Sequence, residues 1–172
     1  MKLLTKNTEH LPTEIEQKIW DLLATVCDPE VPVLTILDLG IVRHVTAQLK
    51  YNNELTAQIY ITPTYTGCPA MDIISMQIKM VLLENGIKNH TIHQVLSPAW
   101  TTDWMTETGK QKLKAYGIAA PNKNFIIPTN GVECPQCNSI NTTLISEFGS
   151  TACKSLYQCS DCKEPFDYFK CH

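Results

Sequence analysis

Arginine is almost absent from this chain. Arg43 is the only one, and the net charge is −3. A nucleic-acid binder needs a basic face to neutralise phosphates, so the composition argues against that class. Long apolar runs are missing too, and none approaches the roughly 20 residues of a membrane-spanning helix. Met1-Lys2-Leu3-Leu4 gives way at once to Thr5-Lys6-Asn7, so no signal-peptide core is expected. The expected location is the cytoplasm. Eight cysteines in that reducing compartment read as metal or thiol chemistry rather than as a disulfide framework.

What is present suits one domain with a small appendage. The chain has 172 residues, 44% of them hydrophobic, enough for one core. Thr13-Glu14-Ile15-Glu16 is a capping-box pattern. Ile15, Ile19, Leu22, Leu23 and Val26 follow at helical spacing, which predicts a helix over 13–26. Pro29 and Pro32 end it. His44 to Tyr51 alternates apolar and polar residues and reads as a strand. Asn52-Asn53 reads as a hairpin turn, and Leu55, Ala57, Ile59 and Ile61 mark the return strand. From Pro69 to about Glu84 the helical run is apolar nearly all round, so a central, buried helix is expected. A third strand near Thr91–Leu96 and a short helix near Thr106–Tyr116 complete the order α-β-β-α-β-α. The expected class is α+β, a small mixed sheet with packed helices and then a small zinc-ribbon-like β module. The domains expected are residues 1–120, a linker at 121–133, and the module at 134–172.

That last module carries the strongest motif. Cys134-Pro135-Gln136-Cys137 and Cys159-Ser160-Asp161-Cys162 are two Cys-x-x-Cys pairs with 21 residues between them. Each pair can put two thiolates on one ion, and two such pairs complete a tetrahedron. Zinc is the expected metal, and the same ligands would accept iron. Its expected task is structural, because about 40 residues cannot bury a self-sufficient core. Cys153, Cys171 and His172 are left over: they sit near the metal site, or they are a spare thiol and a chain terminus, and the second reading is favoured because the two pairs already satisfy a tetrahedral ion.

The other candidate is Cys68, in Thr66-Gly67-Cys68-Pro69 between the second strand and the apolar helix. Gly67 permits a sharp turn, and Pro69 suits a first helical position. That places Cys68 at the N-cap, where free backbone N–H groups favour a thiolate. Asp72, four residues on, would oppose one. Asp38, Asp28, Glu30, Thr64 and Thr66 are candidate helpers. The alternative is an inert buried thiol. A cysteine–histidine enzyme would need His44, His90 or His93 brought in by the fold. Trp100 and Trp104 would line its pocket, though such residues more often serve core or interface.

Asp28-Pro29-Glu30-Val31-Pro32, Asp38-Leu39-Gly40-Ile41-Val42 and Thr66-Gly67-Cys68-Pro69 resemble the iron–sulfur assembly domain shared by SufT-type proteins and eukaryotic cytosolic iron–sulfur targeting factors. The loop Ser97-Pro98-Ala99-Trp100-Thr101-Thr102-Asp103-Trp104 narrows this, as does a cysteine-pair tail running on through Glu164-Pro165-Phe166-Asp167-Tyr168-Phe169. With them, residues 13–172 resemble the D-component family of phenylacetyl-CoA epoxidase systems. The resemblance implies an accessory, non-catalytic role in aerobic phenylacetate degradation, assisting iron–sulfur cluster assembly in the reductase component. It implies that Cys68, with Asp38, meets a transient cluster. The implied partners are the other epoxidase components and the iron–sulfur assembly machinery; a homodimer stays open. The chain has no Glu-x-x-His di-iron pattern, no Rossmann glycine fingerprint and no plant-type ferredoxin spacing, so the epoxidation itself lies elsewhere. A stoichiometric structural component of the complex and a cysteine-dependent enzyme are the alternatives.

Overall fold

The computed structural model describes residues 13–49, 54–121 and 131–170. Helix α1 (Glu14–Leu23) opens with the expected capping box. The Thr13 hydroxyl accepts from Glu16 N–H, and Glu16 Oε2 accepts from Thr13 N–H at 2.9 Å. Glu16 is buried because its other oxygen takes the Ala47 N–H of β1 (Val42–Leu49) at 3.2 Å. One carboxylate thus closes the helix start and covers a sheet edge.

Strand β2 (Leu55–Ile61) lies in the middle of a three-stranded sheet of order β1-β2-β3, with β3 at Asn89–Gln94. It pairs antiparallel with β1 and parallel with β3, so the sheet is mixed, as the element order implied. A parallel neighbour demands a crossover, and α2 (Ala70–Glu84) supplies it. The Asn52-Asn53 turn lies outside the described residues. Val45, Ala57, Ile59 and Ile61 bury one face of the sheet against α1 and α2.

Helix α2 departs from the expectation of all-round burial. Ala70, Met71, Ile74, Ile78 and Leu82 face the core. Ile73, Met76, Met80 and Leu83 form a stripe about half exposed on the other side. A three-stranded sheet and one neighbouring helix cannot surround a second helix, so apolar residues remain on its outer face.

Between α1 and β1 the chain runs from Val26 to Ile41 without a long element, yet it is buried. Val26, Val31, Leu34, Ile36, Leu39 and Ile41 all belong to the core. After β3 comes a 3-10 turn (Thr102–Trp104), then α3 (Glu107–Tyr116), capped by Thr106 and stopped by Gly117 in the left-handed conformation.

The second sheet has order β4-β7-β6-β5. Its strands are β4 (Ile118–Ala119), β5 (Thr142–Ser146), β6 (Lys154–Cys159) and β7 (Pro165–Phe169). β4 comes directly after α3 and pairs parallel with β7. The cysteine module therefore does not hang free. Phe169 packs edge-on to Trp100 with ring centroids 6.2 Å apart, and Cys153 and Phe169 belong to the main core.

Gly40 holds two of these parts together. Its φ is +67°, and a Cβ there would stand 2.1 Å from the Trp104 carbonyl oxygen. Gly40→Ala should lower unfolding stability by about 3 kcal/mol, through strain and a backbone clash. Urea denaturation checks this; a loss below about 0.5 kcal/mol would show that the contact yields.

Candidate metal and thiol sites

The four ribbon cysteines converge. Their ligand atoms all lie within 4.8 Å of one another. Cys134 and Cys162 sulfurs are 3.7 Å apart, and Cys137 and Cys159 sulfurs 3.5 Å. Thiolates about 2.3 Å from a tetrahedral zinc stand about 3.8 Å apart, so the cage fits one such ion. Both knuckles close alike. Asn138 N–H returns to Cys134 O at 2.9 Å, and Lys163 N–H to Cys159 O at 3.0 Å. Asn138 and Lys163, each following the second cysteine of its pair, take positive φ of 61° and 67°. Asparagine tolerates that conformation; the lysine is held in it by its knuckle.

The crowded sulfurs share charge unevenly. Backbone N–H groups of Cys162 and Asp161 and the thiols of Cys137 and Cys162 outweigh burial and bring Cys159 down to about 7. At Cys162 the Glu164 N–H pulls the same way, but burial and three neighbouring thiols push it up to about 12. A divalent cation held by Cys134, Cys137, Cys159 and Cys162 would remove this conflict by taking all four as thiolates.

Cys68 sits one residue outside the helix. Pro69, not Cys68, occupies the N-cap of α2, with φ −67° and ψ −22°. The thiol is half-buried, and burial raises its pKa. The Ala70 N–H and the Tyr65 phenol lower it, while the Glu30 and Asp28 carboxylates raise it further, and the raising side wins. Cys68 therefore stays a neutral thiol at neutral pH. Tyr65 moves up to about 12, first through burial and then through its hydrogen bond to Cys68.

The groups acting on Cys68 are thus Tyr65, Glu30 and Asp28. Asp28 Oδ1 accepts from Glu30 and Val31 N–H groups, both at 2.8 Å. Asp38 stands in a different network. It accepts from Thr35 N–H and hydroxyl at 2.9 and 3.0 Å, from Thr106 Oγ1 at 3.3 Å, and from Lys112 Nζ at 2.6 Å. Burial opposes its ionisation, but Lys112 and Thr35 outweigh burial and lower its pKa. Its carbonyl oxygen also takes Thr106 N–H, so Asp38 ties the 26–41 segment to α3.

The histidines do not join the thiol. His44 and His93 flank Tyr60 across the sheet, and His90 Nδ1 meets Ile87 O. Trp100 is core, its indole donating to Leu39 O at 2.8 Å, and Trp104 lies under the Arg43 guanidinium. The cleft by the Cys68 loop, lined by Thr62, Thr64, Tyr65 and Trp100 among others, measures about 150 Å³. Small-molecule sites run to roughly 300–1,000 Å³. Cys153 is the residue that sequence reasoning misses. It is buried, and its thiol meets Glu30 Oε2 at 3.5 Å and Thr151 Oγ1 at 3.0 Å. Only its being left over from two complete pairs hints at a separate place.

This fold and cage define an iron–sulfur assembly domain joined to a zinc ribbon. Residues 16–89 match the family described as iron–sulfur cluster assembly protein, and residues 120–170 match the PaaD zinc beta ribbon domain. The chain belongs to the PaaD family, the D components of phenylacetyl-CoA epoxidase systems. It is 48% identical to an Escherichia coli (strain K12) protein named as a candidate D component of 1,2-phenylacetyl-CoA epoxidase, over 93% of this chain and 94% of that one. It is 35% identical to an Fe-S protein maturation auxiliary factor of Porphyromonas gingivalis (strain ATCC BAA-308 / W83), over 62% of this chain and 96% of the relative. A crystal structure of a DUF59 domain from Bacillus anthracis shares the first domain's fold. It is 34% identical, with TM-score 0.50, covering 57% of this chain and 90% of that one. No helix among the described residues is long and apolar enough to cross a membrane.

Removing the ribbon metal with a strong chelator should collapse the amide resonances of β5–β7 while α1–α3 keep theirs. The Trp100 indole resonance should shift, because Phe169 leaves it; an unmoved indole would show that the two modules are uncoupled. Alkylation of Cys68, followed by mass spectrometry, should run slower at pH 7 than for a free thiol. It should rise about tenfold per pH unit through pH 9, since only the thiolate reacts. A plateau below pH 8 would contradict the raised pKa.

Proposed function

We propose that this chain is an accessory factor that helps assemble the [2Fe–2S] cluster of the epoxidase's reductase component, in the cytoplasm. The observation that carries the reading is Cys68. It is a half-buried thiol on a glycine-hinged loop at the head of α2, in a domain of the iron–sulfur assembly family. In this reading Cys68 contacts iron or cluster cargo in transit, and Asp38 acts by holding the 26–41 segment in place. The ribbon takes zinc as a structural ion and presents a docking face. A thiol kept neutral by burial and carboxylates is inert toward stray electrophiles, and a cationic cargo would deprotonate it on arrival.

The test is the iron and acid-labile sulfide content of the reductase, purified from cells with this chain, without it, and with Cys68→Ser. A reductase depleted in both atoms in the last two strains is expected. A fully loaded reductase without the chain would sink the reading and favour a stoichiometric structural component, which would co-purify with the epoxidase at fixed ratio.

A further inference from the structure

Helix α2 carries two apolar faces. Ala70, Met71, Ile74, Ile78 and Leu82 serve the core. Ile73, Met76, Met80 and Leu83 lie on the other side, each between 44% and 54% exposed. Their spacing is three, four and three residues. That is the a-d-a-d order of a coiled-coil seam, narrower than the stripe that packs a helix onto a sheet. Four half-open side chains of this size form a patch of roughly a few hundred Å², and patches of that scale mark docking surfaces. Knobs at this spacing fit the holes of one facing helix rather than a strand.

The charges beside the seam are those of a self-complementary partner. With Ile73 and Met80 at a positions, Asp72 and Lys79 take the g flank, and Gln77 and Glu84 the e flank. Asp72, Lys79 and Glu84 are exposed, and none has an ion pair among the described residues. When two such helices run antiparallel, a faces d and g faces g. Ile73 then meets Leu83 of a second copy, and Met76 meets Met80. Asp72 meets Lys79 of that copy, twice by symmetry, as a two-fold interface demands. An antiparallel pair also sets each Glu84 beside the positive first turn of the other helix. A parallel pair would gather both Glu84 side chains at the end where both helix dipoles are negative.

We propose that the outer face of α2 is the two-fold interface of a homodimer, in which two copies of α2 pack antiparallel along Ile73, Met76, Met80 and Leu83. The contact is small beside the roughly 800 Å² per partner of a standard interface, so the dimer is a micromolar one. Cys68 precedes the seam by more than one helical turn, so the two thiol loops stand at opposite ends of the pair. The proposal does not depend on the maturation reading.

Sedimentation velocity of the full-length chain, expressed with zinc, tests it. The wild type should pass from monomer to dimer between about 1 and 100 µM. M76K and M80K each put a charge at the centre of the seam, and each should weaken the dimer at least about tenfold. D72K and K79D alone should each weaken it about tenfold, because like charges then face each other twice. Mixed in equal amounts, D72K and K79D should recover the dimer, since every facing pair is opposite again. Unchanged ribbon metal content and thermal unfolding would certify the fold of each variant, with M80S as a milder substitution. A wild type that stays monomeric at about 100 µM would overturn the proposal and leave the stripe to a helix of another protein. A dimer indifferent to both M76K and M80K would overturn it too. A dimer weakened by K79D but not by D72K would overturn the antiparallel order.

Discussion

The structure depends on satisfying a buried loop. Residues 26–41 carry six core side chains but form no long helix or strand. Backbone groups carried inside without partners would each cost about 1–3 kcal/mol. Two aspartates prevent that. Asp28 takes the N–H groups of Glu30 and Val31, and Asp38 takes those of Thr35 and, through its own carbonyl, Thr106. Trp100 takes the Leu39 carbonyl, and Gly40 lets Trp104 approach. The aromatic loop, α3 and the Asp-Pro-Glu turn are thereby joined to one segment. Glu30 is held at a fixed place because Asp28 anchors its backbone.

That anchoring sets the charge of the thiol region. Glu30 and Asp28 stand near Cys68, and Glu30 touches Cys153. Burial raises Asp28 itself, despite two backbone N–H bonds. Cys153 goes to about 11, first by burial and then by Glu30. Thiols buried beside carboxylates hold their protons until positive charge enters. Such a thiol resists oxidation, because the thiolate is the form that oxidants attack.

Much of this is legible in the chain, and the gaps have causes. The capping box, the alternating β2 and the left-handed Gly117 are local features, and local rules read them. The two Cys-x-x-Cys pairs converge because their spacing leaves few other outcomes. Helix α2 reads as buried all round because Ile73, Met76, Met80 and Leu83 are apolar; burial depends on how many neighbours the fold provides, which periodicity does not contain. Asp38 looks like a partner for Cys68, but its oxygens go to Thr35, Thr106 and Lys112, two of them 68 and 74 positions away. Cys153 meets Glu30 across 123 positions. Contacts of that separation leave no mark in a local pattern.

The remaining question is why a ribbon should be built into this domain. A module of about 40 residues cannot hold itself without metal. Here it also finishes the first domain's core, since Phe169 covers Trp100 and β7 takes β4 as a parallel neighbour. The cover is mutual. Trp100 grips Leu39, the 26–41 segment positions Glu30, and Glu30 meets Cys153, which returns to the ribbon. The ribbon and the Asp-Pro-Glu loop are therefore two ends of one packed circuit. The turn that carries Cys153 leads straight into β6, which pairs with β7, so it depends on the order of that pair.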